Sequence, residues 1–136
     1  MMHSRESIQE STVYIYGTGS FGRDTLELCD QLGLEVEGFV DHIQNSKSSF
    51  KNFTNIEDMP KKENVTIILG VCNLFGDLKK ISDLILSKNP LANILTPVQF
   101  AKMCEENGFV LDNYWLTGKT SSYPVVIRKL RILRTC

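Results

Sequence analysis

The chain has 136 residues, with 15 lysines and arginines, 16 aspartates and glutamates, and a formal net charge of -1. This length is typical of one domain, and 42% hydrophobic with 23% charged residues indicates a folded globular protein, not a disordered one. The balanced charge argues against a nucleic-acid partner. No apolar stretch is long enough to span a membrane, and residues 1–12 carry no signal peptide, so we expect a cytoplasmic protein with no membrane partner.

The cysteines and histidines do not predict a metal site. Zinc ligands usually come in close pairs, and these residues are far apart in the sequence. They are Cys29, Cys72, Cys104, Cys136, His3 and His42. We therefore expect free, mostly buried thiols in a reducing compartment.

The first half of the chain predicts an arm, a strand, a helix and a second strand. Residues 1–12 are polar and predict a flexible arm. The β-branched and aromatic run at 13–16 predicts a strand. Helical spacing of apolar residues predicts a helix from Phe21 to Leu32, which Gly33 ends. Alternating residues at 34–41 predict the next strand.

The second half continues the alternation. Residues 42–64 predict a loop with one short extended piece and one helical turn. The unbroken apolar run Val65–Val71 predicts a parallel strand that is buried on both faces. A helix over 77–88 and a strand over 93–95 follow.

A capping box predicts where the last helix begins. Thr96 suits the N-cap, Pro97 suits the first helical position, and Gln99 completes the box. We expect this helix to run to about Asn107 and to end at Gly108.

This order of elements predicts an α/β fold. We expect a three-layer Rossmann-like half domain over residues 13–117, with a mostly parallel sheet of four to five strands and helices on both faces. Residues 118–136 are predicted to be a linker followed by a basic tail, whose apolar side chains favour self-association into a homo-oligomer.

The segment from Gly17 to Gly22 matches the pattern G-x-G-x-x-G. It follows a predicted strand, it opens a predicted helix, and Asp41 stands 22 residues after Gly19 at the end of the next strand. The glycines permit a tight turn, close approach of a pyrophosphate and close helix packing, and the helix start attracts an anion. Asp41 suits a ribose 2′-hydroxyl and favours NAD over NADP.

The candidate ligand-binding set also includes one residue after the central strand, Asn73. The full set is Gly17, Thr18, Gly19, Ser20, Phe21, Gly22, Arg23, Asp41 and Asn73. A purely structural interpretation stays open, because a strand-to-helix turn needs glycine without any ligand. Asp41 is then a loop residue, and Asn73 a helix cap or turn residue.

No group of residues predicts a reaction centre. His42 is interpreted as a loop residue, and Cys72 has no Lys, Arg or His nearby in the sequence that would lower its pKa. Glu105 and Glu106 are adjacent on a helix, so they point in different directions. We therefore assign no catalytic residue and no metal ligand.

Five segments in order resemble the N-terminal region of FkbM-type S-adenosylmethionine-dependent methyltransferases. They are Val13–Asp24, Gly38–Asp41, Ile68–Asn73, Leu95–Phe100 and Tyr114–Thr117. The glycine turn and the segment GFVD also resemble the small domain of sugar-nucleotide N-acetyltransferases that holds a UDP-sugar.

The methyltransferase resemblance implies an accessory, non-catalytic domain. In that family a second Rossmann-like domain holds S-adenosylmethionine, and this chain is too short to include it, so we expect a truncated member or an isolated domain. The alternatives are a stand-alone module that binds NAD or a UDP-sugar, and a structural or oligomerising domain whose glycine turn stays empty.

Overall fold

The computed structural model describes residues 5–41, 52–59, 61–71 and 78–109. In chain order the elements are α1 (Arg5–Gln9), β1 (Thr12–Tyr16), α2 (Ser20–Leu32), β2 (Val36–Asp41), β3 (Asn52–Asn55), a 3₁₀ turn (Ile56–Asp58), β4 (Val65–Leu69), α3 (Leu78–Lys88), β5 (Asn93–Leu95) and α4 (Pro97–Glu106).

The five strands form one sheet in the order β3-β2-β1-β4-β5, and every neighbouring pair is parallel. The chain moves outward from β1 through β2 to β3, and then returns to the other side of β1 to form β4. The direction of strand addition therefore reverses between β1 and β4. This confirms the predicted α/β fold, with a sheet that is entirely parallel over the described strands.

Helices cover the sheet on both faces, which confirms the three-layer arrangement. One core cluster lies on what we call the α2 face, where α2 and α4 pack on the sheet; its largest fully buried members are Ile8, Ile15, Leu28, Phe39, Ile68, Leu95 and Phe100. A second cluster lies on the α3 face, where α3 and the 3₁₀ turn pack; it includes Tyr14, Tyr16, Val40, Ile56, Ile67, Leu69 and Ile85. Both faces of β4 are therefore buried, as its unbroken apolar sequence predicts.

The predicted helix ends are confirmed where the structure describes them. The Thr96 hydroxyl accepts the Gln99 N–H, and the Gln99 side chain accepts the Thr96 N–H, which completes the capping box of α4. Gly33 ends α2 in the left-handed conformation, with a φ of 78°. Leu34 donates its N–H to the Cys29 carbonyl, so it belongs to the end of α2, and β2 begins only at Val36.

The structure differs from the prediction of a flexible arm over residues 1–12. Residues 5–9 form α1, and Thr12 already belongs to β1. Ile8 is fully buried in the α2-face cluster. The Gln9 side chain donates to the Gly33 carbonyl at 3.3 Å, which ties α1 to the end of α2. The polar composition concealed this helix because Ile8 is its one buried apolar residue.

A bulge in β2 reverses the direction of the side chains that follow it. Val13 pairs with Val36 and Tyr14 pairs with Gly38, so Glu37 is an extra residue in this strand. Val36 and Phe39, three residues apart, consequently lie on the same α2 face. In a regular strand they would point to opposite faces. Asp41, two residues after Phe39 in the same strand, therefore also lies on the α2 face, near the turn that leads into α2.

No helix in the described ranges is long and apolar enough to cross a membrane. The predicted linker and tail at 118–136, and the predicted segment 110–117, lie outside the described residues.

Candidate functional site

The candidate site lies where the strand order reverses, outside the carboxyl ends of β1 and β4. The two strand ends are held together, because the Gly70 N–H donates to the Tyr16 carbonyl at 2.7 Å. In open parallel sheets, ligands bind in the crevice at this reversal. The turn from Gly17 to Gly22 leaves β1 at this edge and opens α2.

Two of the three glycines in the motif are required by packing. Gly17 has a φ of 113°, and a Cβ there would lie 2.7 Å from the Gly70 carbonyl oxygen. A Cβ on Gly22 would lie 2.2 Å from the Gly17 carbonyl oxygen. The turn and the close approach of α2 to the sheet therefore exclude any side chain at these positions, whether or not a ligand binds.

Gly19 differs from its neighbours in this respect. Its φ of -85° and ψ of -166° are extended values that any residue adopts. Apart from its own chain neighbours, no atom of the described residues lies within 4 Å of a Cβ built on Gly19, and the residue is exposed. Gly19 is the N-cap of α2 and provides no side-chain cap. Packing against the described residues therefore does not explain this glycine, and these residues leave an anion room to approach the start of the helix.

Asp41 contacts the turn directly. Its Oδ2 accepts a hydrogen bond from the Thr18 N–H at 3.1 Å and lies 3.4 Å from the donating Thr18 hydroxyl. The preceding Val40 carbonyl accepts the Gly17 N–H at 2.9 Å. Burial raises the pKa of Tyr16 above its usual value, and the charge of Asp41 adds to this effect. The structure thus brings Thr18 and Asp41 together at the edge where the sequence predicts a ligand.

The remaining predicted residues are distributed around the helix start. The backbones of Ser20 and Phe21 form the first turn of α2. Arg23 is exposed, and its N–H donates to the Gly19 carbonyl at 3.1 Å as the first α-helical bond. Asn73 lies outside the described residues, so its place in the site stays a prediction.

Gly70 is a residue that the sequence analysis missed. A Cβ there would lie 2.7 Å from Ile15 Cγ2 and 2.9 Å from the Gly22 Cα. Gly70 is therefore the contact point between the ends of β1 and β4 and the start of α2. The sequence did contain a signal for it. Gly70 directly follows β4, just as Gly17 directly follows β1.

Neither of the two described cysteines has an activated thiol. Cys29 and Cys104 are both buried, on α2 and α4. Burial raises the pKa of Cys104 to about 12 and that of Cys29 well above its usual value, so both thiols are protonated at neutral pH. No group of three or more potential metal ligands occurs within the part of the chain that the structure describes.

The fold and the glycine turn define the class of this chain as an α/β protein with a Rossmann-like parallel sheet. A scan against protein-family models returned no match, and neither did searches of curated proteins and of solved structures. Function is therefore inferred from the geometry of the site and from the residues of this chain.

Proposed function

We propose that this chain is a non-catalytic nucleotide-binding domain that holds a ligand of the NAD or UDP-sugar class at its glycine turn. The observation that carries this proposal is Gly19, a helix N-cap that lacks a side chain although neither its backbone angles nor its described neighbours require glycine. A phosphate that approaches the backbone at this point would explain why position 19 is a glycine.

The surroundings of Gly19 support a nucleotide. The turn stands at the reversal of strand order, where open parallel sheets bind ligands. Asp41 stands at the end of β2, within reach of the same turn.

We also propose that the domain is the accessory N-terminal domain of an FkbM-type methyltransferase. The support is the ordered set of similar segments in the sequence, from Val13–Asp24 to Tyr114–Thr117. On this proposal S-adenosylmethionine binds a second domain and not the glycine turn described above. Cys29 and Cys104 are free thiols, which supports our proposal of a cytoplasmic, reducing location.

The second candidate is a structural or oligomerising domain whose turn stays empty. The specific observation in its favour is that packing alone accounts for Gly17 and Gly22. Two exposed leucines, Leu86 at 39% and Leu91 at 60%, supply apolar surface on the side of α3.

Thermal unfolding with added ligands separates these candidates. We expect NAD or UDP-glucose to raise the melting temperature by several degrees, because a ligand at 100 times its Kd adds about 2.7 kcal/mol. S-adenosylmethionine should have no effect. Gly19→Val should abolish the shift, since the side chain occupies the space that a phosphate needs.

A matched control is Lys102→Val, which introduces the same side chain at an exposed position of α4. This variant should keep the full ligand-induced shift. A shift that survives in Gly19→Val would remove the glycine turn as the site. The absence of a shift with either nucleotide in the unmodified chain would favour the structural candidate.

A further inference from the structure

Asp41 binds Thr18 through two hydrogen-bond donors. Both donors of Thr18, its N–H and its hydroxyl, approach the same carboxylate oxygen, at 3.1 and 3.4 Å. Thr18 is only 3% exposed, so water competes poorly for these donors. A hydrogen bond to an ionised acceptor is roughly twice as strong as one between neutral groups.

The ends of the neighbouring strands hold the turn at further points. The Gly17 N–H donates to the Val40 carbonyl, so the consecutive N–H groups of Gly17 and Thr18 both bind the end of β2. On the other side, Gly70 of the β4 end donates to the Tyr16 carbonyl. The N–H groups that remain to face an anion lie beyond Gly19, in the first turn of α2, where a helix provides no internal acceptors.

We infer that Asp41 is a positioning residue, which fixes the glycine turn through Thr18, and that the site recognises its ligand first through phosphate groups. This inference rests on the proposed function. It gives Asp41 a different part from that of a ribose acceptor. A ribose acceptor affects only nucleotides, whereas a residue that shapes the turn affects every phosphate ligand, including one without a ribose.

The test compares inorganic pyrophosphate with NAD by titration calorimetry on the unmodified chain, Asp41→Ala and Asp41→Asn. We expect Asp41→Ala to weaken the binding of both ligands by roughly tenfold or more, which corresponds to the loss of one hydrogen bond to a charged acceptor. Asp41→Asn keeps an oxygen that can accept the Thr18 N–H. It should therefore retain most of the affinity for pyrophosphate.

A second measurement needs no ligand. Amide hydrogen exchange at Thr18 should accelerate about tenfold or more in Asp41→Ala and much less in Asp41→Asn, because only the alanine removes the acceptor. The matched control is Glu35→Ala, which removes an exposed acid just before β2 and should leave both the exchange and the binding unchanged. If Asp41→Ala does not fold, Thr18→Val removes the hydroxyl bond and should weaken pyrophosphate binding several-fold.

The possible results separate this inference from the proposed function. Weaker binding of NAD with unchanged binding of pyrophosphate, in Asp41→Ala or in Thr18→Val, would overturn the inference and leave the proposed function intact. An unmodified chain that binds NAD but not pyrophosphate would also overturn it. If the unmodified chain binds none of pyrophosphate, NAD and UDP-glucose, the proposed function fails, and unchanged exchange at Thr18 would then refute the positioning part as well.

Discussion

Gly19 and Gly22 belong to one turn, but different physical constraints act on them. Gly22 lies against the Gly17 carbonyl, where a single added carbon would overlap the backbone. Gly19 has an extended backbone, and none of the described residues packs against the position of its missing Cβ. The same motif therefore combines a residue that the fold requires with one that the fold leaves free.

This difference predicts opposite effects on the stability of the ligand-free chain. Gly22→Ala should lower the free energy of unfolding by about 1–3 kcal/mol, as overpacking against backbone does. Gly19→Asp should raise it by about 0.5 kcal/mol, because an aspartate is a better N-cap than glycine and complements the helix dipole. Urea unfolding of each variant measures both effects.

The same Gly19→Asp variant should lose nucleotide binding, since its carboxylate repels a phosphate at the helix start. A gain in stability together with a loss of binding is the expected pattern. A stable Gly22→Ala variant would show that α2 can move away from the sheet without cost, and the packing interpretation of Gly22 would then be wrong.

At the scale of elements, Asn89 joins the end of α3 to the segment that precedes β4. Asn89 is fully buried. Its side-chain amide donates to the Lys62 carbonyl at 2.9 Å, and its Oδ1 accepts the Leu91 N–H at 3.1 Å. Its own N–H completes the helix by donating to the Ile85 carbonyl. One side chain thus satisfies backbone groups from two segments that are far apart in sequence.

We expect Asn89→Ala to lower the free energy of unfolding by about 1–3 kcal/mol, because it removes two partly buried hydrogen bonds, one to the Lys62 carbonyl and one from the Leu91 N–H. Urea unfolding measures the loss. The matched control is Asn107→Ala at the end of α4, where the side-chain amide of an exposed asparagine donates to the Met103 carbonyl of its own helix. If the two substitutions cost the same, Asn89 does not join the two segments.

The whole molecule buries several groups that lose a proton only at high pH. Burial raises the pKa values of Cys29 and Cys104 on the α2 face. Burial is also the larger cause of the raised pKa values of Tyr14 and Tyr16, with smaller additions from Glu37 and Asp41. Both faces of the sheet therefore hold groups that keep their protons in the folded chain at pH values where the same groups of the unfolded chain lose them.

The sign of the resulting pH dependence follows from proton linkage. Above about pH 9 the unfolded thiols lose their protons while the folded ones keep them, so the unfolded state binds fewer protons and stability falls as pH rises. We expect the titration of these thiols to cause no change in the free energy of unfolding below about pH 8, and a steady decline from about pH 9 toward about pH 12. Urea unfolding across this range measures the decline.

The variant Cys104→Ala provides the control for this prediction, because it removes one of the groups responsible. It should be less stable than the unmodified chain at pH 7, since it removes a buried side chain. Its decline above pH 9 should nevertheless be shallower. An equally steep decline in both proteins would show that other groups cause the alkaline loss.

Much of the architecture could be predicted from local sequence. The continuous apolar run of β4, the capping box of α4 and the glycine at the end of α2 each act within a few neighbouring residues. α1 could not be predicted in this way, because Ile8 becomes a core residue only when the sheet is formed. The role of Gly70 was hidden for the same reason, since its contacts come from β1 and α2.

The candidate site shows the same division. The sequence predicted that a glycine turn and an acid would meet at one edge of the sheet, because the carboxyl ends of parallel strands lie together. It did not predict that Glu37 would be an extra residue in β2, which reverses the side-chain alternation after it and places the Asp41 carboxylate next to Thr18. The position of a bulge depends on how two strands pair, and the paired residues are distant in sequence, so local sequence does not reveal it.

The sequence alone determined the alternation of strands and helices and the glycine turn after the first strand. Hydrophobic periodicity and helix capping act locally, so these features can be read from short segments. Only the tertiary structure decided that packing demands Gly17 and Gly22, that the described residues leave Gly19 open, and that Asp41 binds the turn itself. Those distinctions depend on distances of a few ångströms between separate strands, which exist only once the sheet has formed.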